Sequence, residues 1–482
     1  MSSAAPIDPE SGSATCPPEE RVPTSVVFAY GVPMAAISLA FTPFGMYYMK
    51  YGIEVLLIPP AAIGAIQFIA RLWDAVSDPL VGAWSDRTQT RWGRRRPWLV
   101  LSAIPMAVTY VSLWAPPAQL EGTALLLWLL FAYLIYETAS TGVFVPYFAL
   151  GMELSEGHHD RTRVFAWRTF LASVGTVGGF ASLYWLREAS DPRATALLVA
   201  SIGGAVLAAA VIFAAVRVPE RPNYQTKKKT SVVRAMRDVF ANPHARVYFA
   251  VVGVEAFGVA ILPQMVVFIL DDVIQDEYVL YWILGLYAVP QFALIPLWAR
   301  LSVRFGKKPL WLFGMACSAL GFTGSLFLTA GAIPTLAAAT LLCGVGLGIG
   351  TVLGPSVAAD VVDYDEVLTG ERREGSFTAV LNFIRKAGLA SAAMLAGFGL
   401  QFSGYDASAE VQSPGVQRTI LWLAGGIPAL CYVGGIVLFR HFRLDGPEHA
   451  RVQLEMRQHR AERHEAEASR AIRARGSEET NE

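Results

Sequence analysis

Two carboxylates four residues apart, Asp74 and Asp78, interrupt an apolar stretch over residues 59–84 (PPAAIGAIQFIARLWDAVSDPLVGAW) that is long enough to cross a bilayer. A charge at that depth costs at least about 2.5–3.5 kcal/mol, so it is expected to face protein and to bind something. At about 3.6 residues per turn the two acids stack on one helix face, with Arg71 one turn before them. Ser77 lies between them and offers a hydroxyl oxygen. Hard alkali cations favour such oxygen clusters, and an incompletely neutralised pair attracts an added cation, so sodium is expected at Asp74 and Asp78. Without a metal, two neighbouring acids cannot both ionise cheaply, and a proton becomes the natural substitute ion. The competing reading is a structural network in which Arg71 and a cation from another span neutralise both acids.

Other charges within apolar stretches extend this chemistry. Arg168 in the fifth span and Lys386 in the eleventh are expected counter-charges, one from each half of the chain. Such a cation pairs with the acids in one state and releases them when sodium or a proton arrives, which gives the ion different affinities for the two states. Either side chain could instead snorkel to an interface, Arg168 more easily because it lies near the start of its span. Glu137, one turn before Thr141, is expected to reach the same cavity; Glu255 in the seventh span could equally be a structural hydrogen-bond partner. Asp360, Asp363, Asp365 and Glu366 end the tenth span opposite Arg-rich loops. With Arg94, Arg95 and Arg372 they are expected to form an ionic gate on the cytoplasmic side.

The elements that position these groups follow from composition. Of 482 residues, 54% are hydrophobic and 16% charged, well below the ~25% charged that is usual in soluble domains. The apolar residues fall in blocks of roughly 20, which makes this an all-α polytopic membrane protein. Twelve spans are expected, at about 26–49, 59–86, 97–116, 122–152, 164–187, 195–216, 247–271, 278–302, 308–330, 333–359, 374–402 and 417–440. Lys and Arg crowd the gaps after even-numbered spans, as in Arg87–Arg96 and Arg217–Arg246. Lys50, Arg187, Arg193 and Arg418 are the main exceptions. By the positive-inside rule both termini are cytoplasmic.

The chain therefore divides into a disordered leader (1–25), two six-span halves (26–216 and 247–440), a cytoplasmic linker (217–246) and a cytoplasmic tail (441–482) that reads as a solvated helix. An internal repeat supports the division: RWGRRRPWLV at 91–100 and RFGKKPLWLF at 304–313 each place an aromatic, a Gly, a basic pair and a Pro at the start of a helix. Zero net charge argues against a nucleic-acid partner. The four cysteines lack metal-ligand spacing and read as packing residues. The glycine run at 344–350 lies inside a span with no nucleotide-loop context, so close helix packing explains it better. No nucleotide motif, catalytic triad or metal-ligand spacing is present in the sequence, which argues against an ATP-driven pump or an enzyme and implies no cofactor.

The segment RLWDAVSDPLVGAWSDRTQTRWGRRRPW at 71–98 resembles the signature of the glycoside–pentoside–hexuronide:cation symporters, the melibiose permease-like branch of the major facilitator superfamily. VPYFALGMELS (145–155), DRTRVFAWR (160–168), ADVVDYDEVLTGERREG (359–375) and NFIRKAG (382–388) are similar to that family in the same order. The resemblance implies two pseudo-symmetric six-helix halves with a solute cavity between them. It implies a cation site at Asp74, Ser77, Asp78 and Thr141, with Lys386 and Arg168 matching the family's basic residues in spans 11 and 5. Ser77 stands where sugar-transporting members often carry Asn. Melibiose-type members also place an acid three residues after the matched threonine and another on span 1. Here the first position is Phe144, and span 1 carries no acid. Trp167, Tyr147 and Phe144 are left to stack on a sugar face, and they would suit an amphipathic solute equally well. The implied function is sodium- or proton-coupled symport of a sugar, glycoside or related solute by a monomer in the cell membrane. The alternative is a lysolipid or other non-sugar amphipathic solute.

Overall fold

The computed structural model describes residues 21–154, 158–220, 237, 239–276, 278–370, 373–444 and the single positions 448, 451 and 454. The leader up to residue 20, most of the linker and nearly all of the expected tail helix lie outside the described residues.

Among the described residues, fifteen α-helices follow one another. In the first half they are α1 (Thr24–Met46), α2 (Tyr48–Glu54), α3 (Pro60–Arg87), α4 (Arg96–Trp114), α5 (Gly122–Glu153), α6 (His158–Arg187) and α7 (Pro192–Arg217). In the second they are α8 (Pro243–Phe268), α9 (Val279–Ala293), α10 (Ile295–Phe305), α11 (Lys307–Ser325), α12 (Ile333–Thr369), α13 (Glu374–Ser403), α14 (Pro414–Leu421) and α15 (Ile427–Arg440). Single π-helical turns at Ile269–Ile274 and Trp422–Gly426 continue α8 and join α14 to α15. Among the described residues no strand occurs.

Local chemistry sets the ends. Asp191 caps α7 by accepting from the Ala194 amide at 3.0 Å, and Asn242 caps α8 through the His244 and Ala245 amides at 2.9 and 3.2 Å. A proline in the first turn, where its missing N–H costs nothing, starts α3, α7, α8 and α12. Gly370 and Gly404, at φ 71° and 77°, close α12 and α13 in the left-handed region.

Among the described residues, ten helical segments are long and apolar enough to span a membrane. The two other expected spans are also helical, as α3 and α11. Arg71, Asp74 and Asp78 lower the mean hydropathy of α3, and α11 opens on Lys307 and Lys308.

Within the first half, α1 packs on α6 and α7, α4 on α5 and α7, and α3 on α5. Within the second, α11 packs on α12 and α15, and α8 on α13 and α15. The broadest contact between halves is α3 along α13. There Gly64 and Gly397 bring two backbones together: a Cβ on Gly64 would lie 2.7 Å from the Ala393 carbonyl and 3.0 Å from Gly397 Cα. That crossing is at the distal end of the bundle, the end at which α1 finishes and α3 begins. One apolar core fills the first half and continues there through Met265, Phe268, Ala396 and Ala424 of the second half. At the near end the second half has a core of its own around Trp311, Val361 and Phe439. The halves are joined at the distal end and carry separate cores at the near end.

Candidate cation and solute site

The charged face of α3 looks at α5 and α13. Asp74 is 6% exposed and Ser77 and Thr141 are each 2% exposed, whereas Asp78 is half-buried. Thr141, on α5, donates its hydroxyl to Asp74 Oδ1 at 2.9 Å and lies 3.2 Å from the Ser77 hydroxyl. Ser77 also donates to the Asp74 backbone carbonyl at 3.2 Å. Five oxygen-bearing groups, four side chains and one carbonyl, thus converge from two helices.

The charge balance comes from the other half. Lys386 on α13 places its ammonium 2.7 Å from Asp74 Oδ2 and in direct contact with Asp78 Oδ2. One positive charge therefore bridges two carboxylates and leaves a negative charge over. Arg71 does not join them: its guanidinium stands 3.2 Å from Glu137, which is 2% exposed on α5. The pair neutralises itself, so Glu137 serves Arg71 rather than the cavity as a free acid.

Arg168, expected as a second counter-charge, lies elsewhere. Its guanidinium rests over the rings of Phe165 and Phe148, 4.8 and 5.2 Å from their centroids. Among the described residues, Lys386 alone forms ion pairs with Asp74 and Asp78. Tyr147, expected to stack on solute, is 1% exposed, stacks on Tyr30 at 4.6 Å and donates its hydroxyl to the Tyr30 carbonyl at 2.6 Å. It is a core residue joining α5 to α1. Phe144 packs between Phe41 and Phe148, and Trp167 is exposed beside Phe170.

The near-end charges make close pairs within each half. Arg94 and Arg95 both reach Glu153 Oε1 at 2.6 Å, and Lys307 reaches Asp360 Oδ2 at 2.6 Å. Arg373 grips Asp365 with two bonds of 2.8 Å. Asp363 is half-buried on α12, and Arg372 lies outside the described residues. None of the pairs just named crosses from one half to the other.

A second group of charges, at the distal end, was missed by sequence reasoning. Lys50 lies 3.1 Å from both Asp271 and Asp272 and 3.4 Å from Glu54. The only signal was that Lys50 and Arg187 break the charge rule for their loops.

Residues 29–446 match the family model described as MFS/sugar transport protein. The chain is similar to the Inner membrane symporter YicJ of Escherichia coli (strain K12), at 26% identity over 86% of this chain and 91% of that protein. It is similar at 26% identity to the Sodium-dependent lysophosphatidylcholine symporter 1-A of Danio rerio, over 88% of this chain and 86% of the other. Among solved structures, the nucleoside transporter NupG superposes with a TM-score of 0.65 at 14% identity, over 87% of this chain and 99% of that one. That likeness shows a shared fold.

Proposed function

The chain belongs to the MFS/sugar transport protein family, and from that premise we propose a cation-coupled symporter that moves a sugar, glycoside or related small organic solute across the cell membrane. It is a multi-pass transporter, not an enzyme. We take it to be a monomer of twelve spans with both termini in the cytoplasm. Residues 26–216 and 247–440 then form two six-helix halves, joined by the linker 217–246.

The observation that carries the reading is Lys386 bridging Asp74 and Asp78. The ammonium sits where a small cation with the same oxygen ligands would sit. Sodium or a proton entering from outside competes with Lys386 for the carboxylates. Once displaced, Lys386 no longer ties α13 to α3, so the ion binds the two arrangements with different affinity. Thr141 and Ser77 supply the neutral oxygens a sodium ion requires; a proton requires only one carboxylate. Solute occupies the cavity between the halves near Trp167 and Arg168, and rocking releases both at the other face. When the distal end opens, Arg94, Arg95, Asp360 and Asp363 exchange partners and close the cytoplasmic end.

One observation favours an amphipathic solute as a second reading. An apolar cavity of about 220 Å³ lies among α8, α9, α11 and α12, walled by Leu262, Val266, Leu284 and Leu336 and reaching Met46 of α1. A hydrocarbon tail fits such a wall better than a sugar does. Counterflow of labelled pentosides, hexosides and lysolipids in proteoliposomes, with and without a sodium gradient, tests both readings. Failure of every solute to exchange, under either ion, defeats the proposal.

A further inference from the structure

Lys50, in the first turn of α2, and Arg187, at the end of α6, lie at the face where the charge rule disfavours cations. Their surroundings explain their presence. The Lys50 ammonium is nearly inaccessible, at 3% exposure, and lies over the Phe268 ring at 5.1 Å. Asp271 and Asp272, on the π-helical turn after α8, each approach it to 3.1 Å. Arg187 pairs with the other carboxylate oxygen of Asp271. Tyr405, just past α13, donates to Glu54 of α2 at 2.5 Å and lies 3.3 Å from Asp272. Burial pulls the Lys50 ammonium toward neutrality, but Asp271, Glu54 and Asp272 outweigh it and hold its pKa above the ordinary lysine range.

Provenance is the decisive point. Lys50, Glu54 and Arg187 come from the first half; Asp271, Asp272 and Tyr405 come from the second. Apart from the contacts of Lys50 with Glu54 and of Tyr405 with Asp272, every bond just named crosses between halves. The acids are also fixed in advance: Gln417 donates to the Asp272 carbonyl at 2.9 Å, and the Gly331 amide donates to the Ile274 carbonyl at 3.1 Å. Desolvating such ions offsets much of their attraction, so a buried cluster is weakly stabilising as a whole but sensitive to loss of one partner. Those are the properties of a fastening that can be undone.

We propose that Lys50, Arg187, Asp271, Asp272, Glu54 and Tyr405 form a charge latch that holds the distal end shut and sets the balance between the two faces, without touching solute or coupling ion. The inference rests on the transport reading in one respect only, that the halves move against each other.

The test measures that movement directly. Spin labels at Ala194→Cys and Ala407→Cys, on exposed distal positions of opposite halves, are placed in full-length protein whose four native cysteines are serine, reconstituted in lipid nanodiscs. Distances are recorded without solute, so failure of the symport assignment leaves the result interpretable. The unmodified latch is expected to give mainly the short separation. Lys50→Met and Asp272→Asn are each expected to raise the ratio of long to short separations about tenfold, and the combined variant by less than the product of the two. Tyr405→Phe, which removes one hydroxyl and keeps the ring on Phe268, is expected to shift the ratio in the same direction and carries the test should Lys50→Met not fold. Unchanged distributions in the folded variants would overturn the latch.

Discussion

Thr141 donates to one oxygen of Asp74 at 2.9 Å, which leaves the other oxygen to face the Lys386 ammonium. The hydroxyl therefore fixes the orientation of the carboxylate for whichever cation occupies the place opposite. Losing a hydrogen bond to a charged group costs about 1.5–3 kcal/mol, or roughly tenfold to a hundredfold in an equilibrium constant. Thr141→Val should weaken the half-saturating concentration of the coupling ion by about that factor. Thr141→Ser should restore it, as read from initial uptake rates across a sodium or proton titration.

Asp78 is the more exposed of the two acids and shares the same ammonium. Asp78→Asn leaves Lys386 and Asp74 as a neutral pair with no surplus charge to recruit an ion. Concentrative uptake should fall about tenfold or more, while exchange of labelled for unlabelled solute persists. Uptake that stays concentrative with the same ion dependence would remove Asp78 from the coupling site.

Arg71 and Glu137 form a self-contained pair in the interior. Removing one member of a buried pair strands the other, at about 3–5 kcal/mol. Arg71→Met should lower the melting temperature of the detergent-solubilised protein clearly, and adding Glu137→Gln should recover most of the loss. If the single variant melts normally but no longer binds the ion, the guanidinium belongs to the cation site instead.

The Tyr147 hydroxyl ties α5 to the α1 backbone at Tyr30. Tyr147→Phe should cost about 1 kcal/mol of stability and leave the half-saturating solute concentration within about twofold of the parent. A large change in solute affinity with normal melting would place the ring in the solute path.

The sequence displays Asp74, Asp78 and Lys386 because a charge inside an apolar run is anomalous whatever surrounds it. It does not display their partners. Arg71 and Arg168 read alike as intramembrane cations, yet one is taken up by Glu137 and the other by two phenyl rings. Helical spacing puts Tyr147 near Phe144 but does not tell which neighbour that face meets; α1 covers it. The span pattern was legible from block length, and α3 was legible with it even though Arg71, Asp74 and Asp78 lower its mean hydropathy. Lys50 was visible only as a misplaced charge, because a bond between the halves depends on which end of the bundle is closed, and a linear chain does not encode that.

The meeting of Gly64 with Gly397 has a mechanical consequence. A joint made of bare main chain has no interlocking teeth: nothing must change rotamer for the surfaces to part, and no side-chain socket is left empty afterwards. At that point the two helices meet through main chain alone, so any side chain added at either position would push them apart.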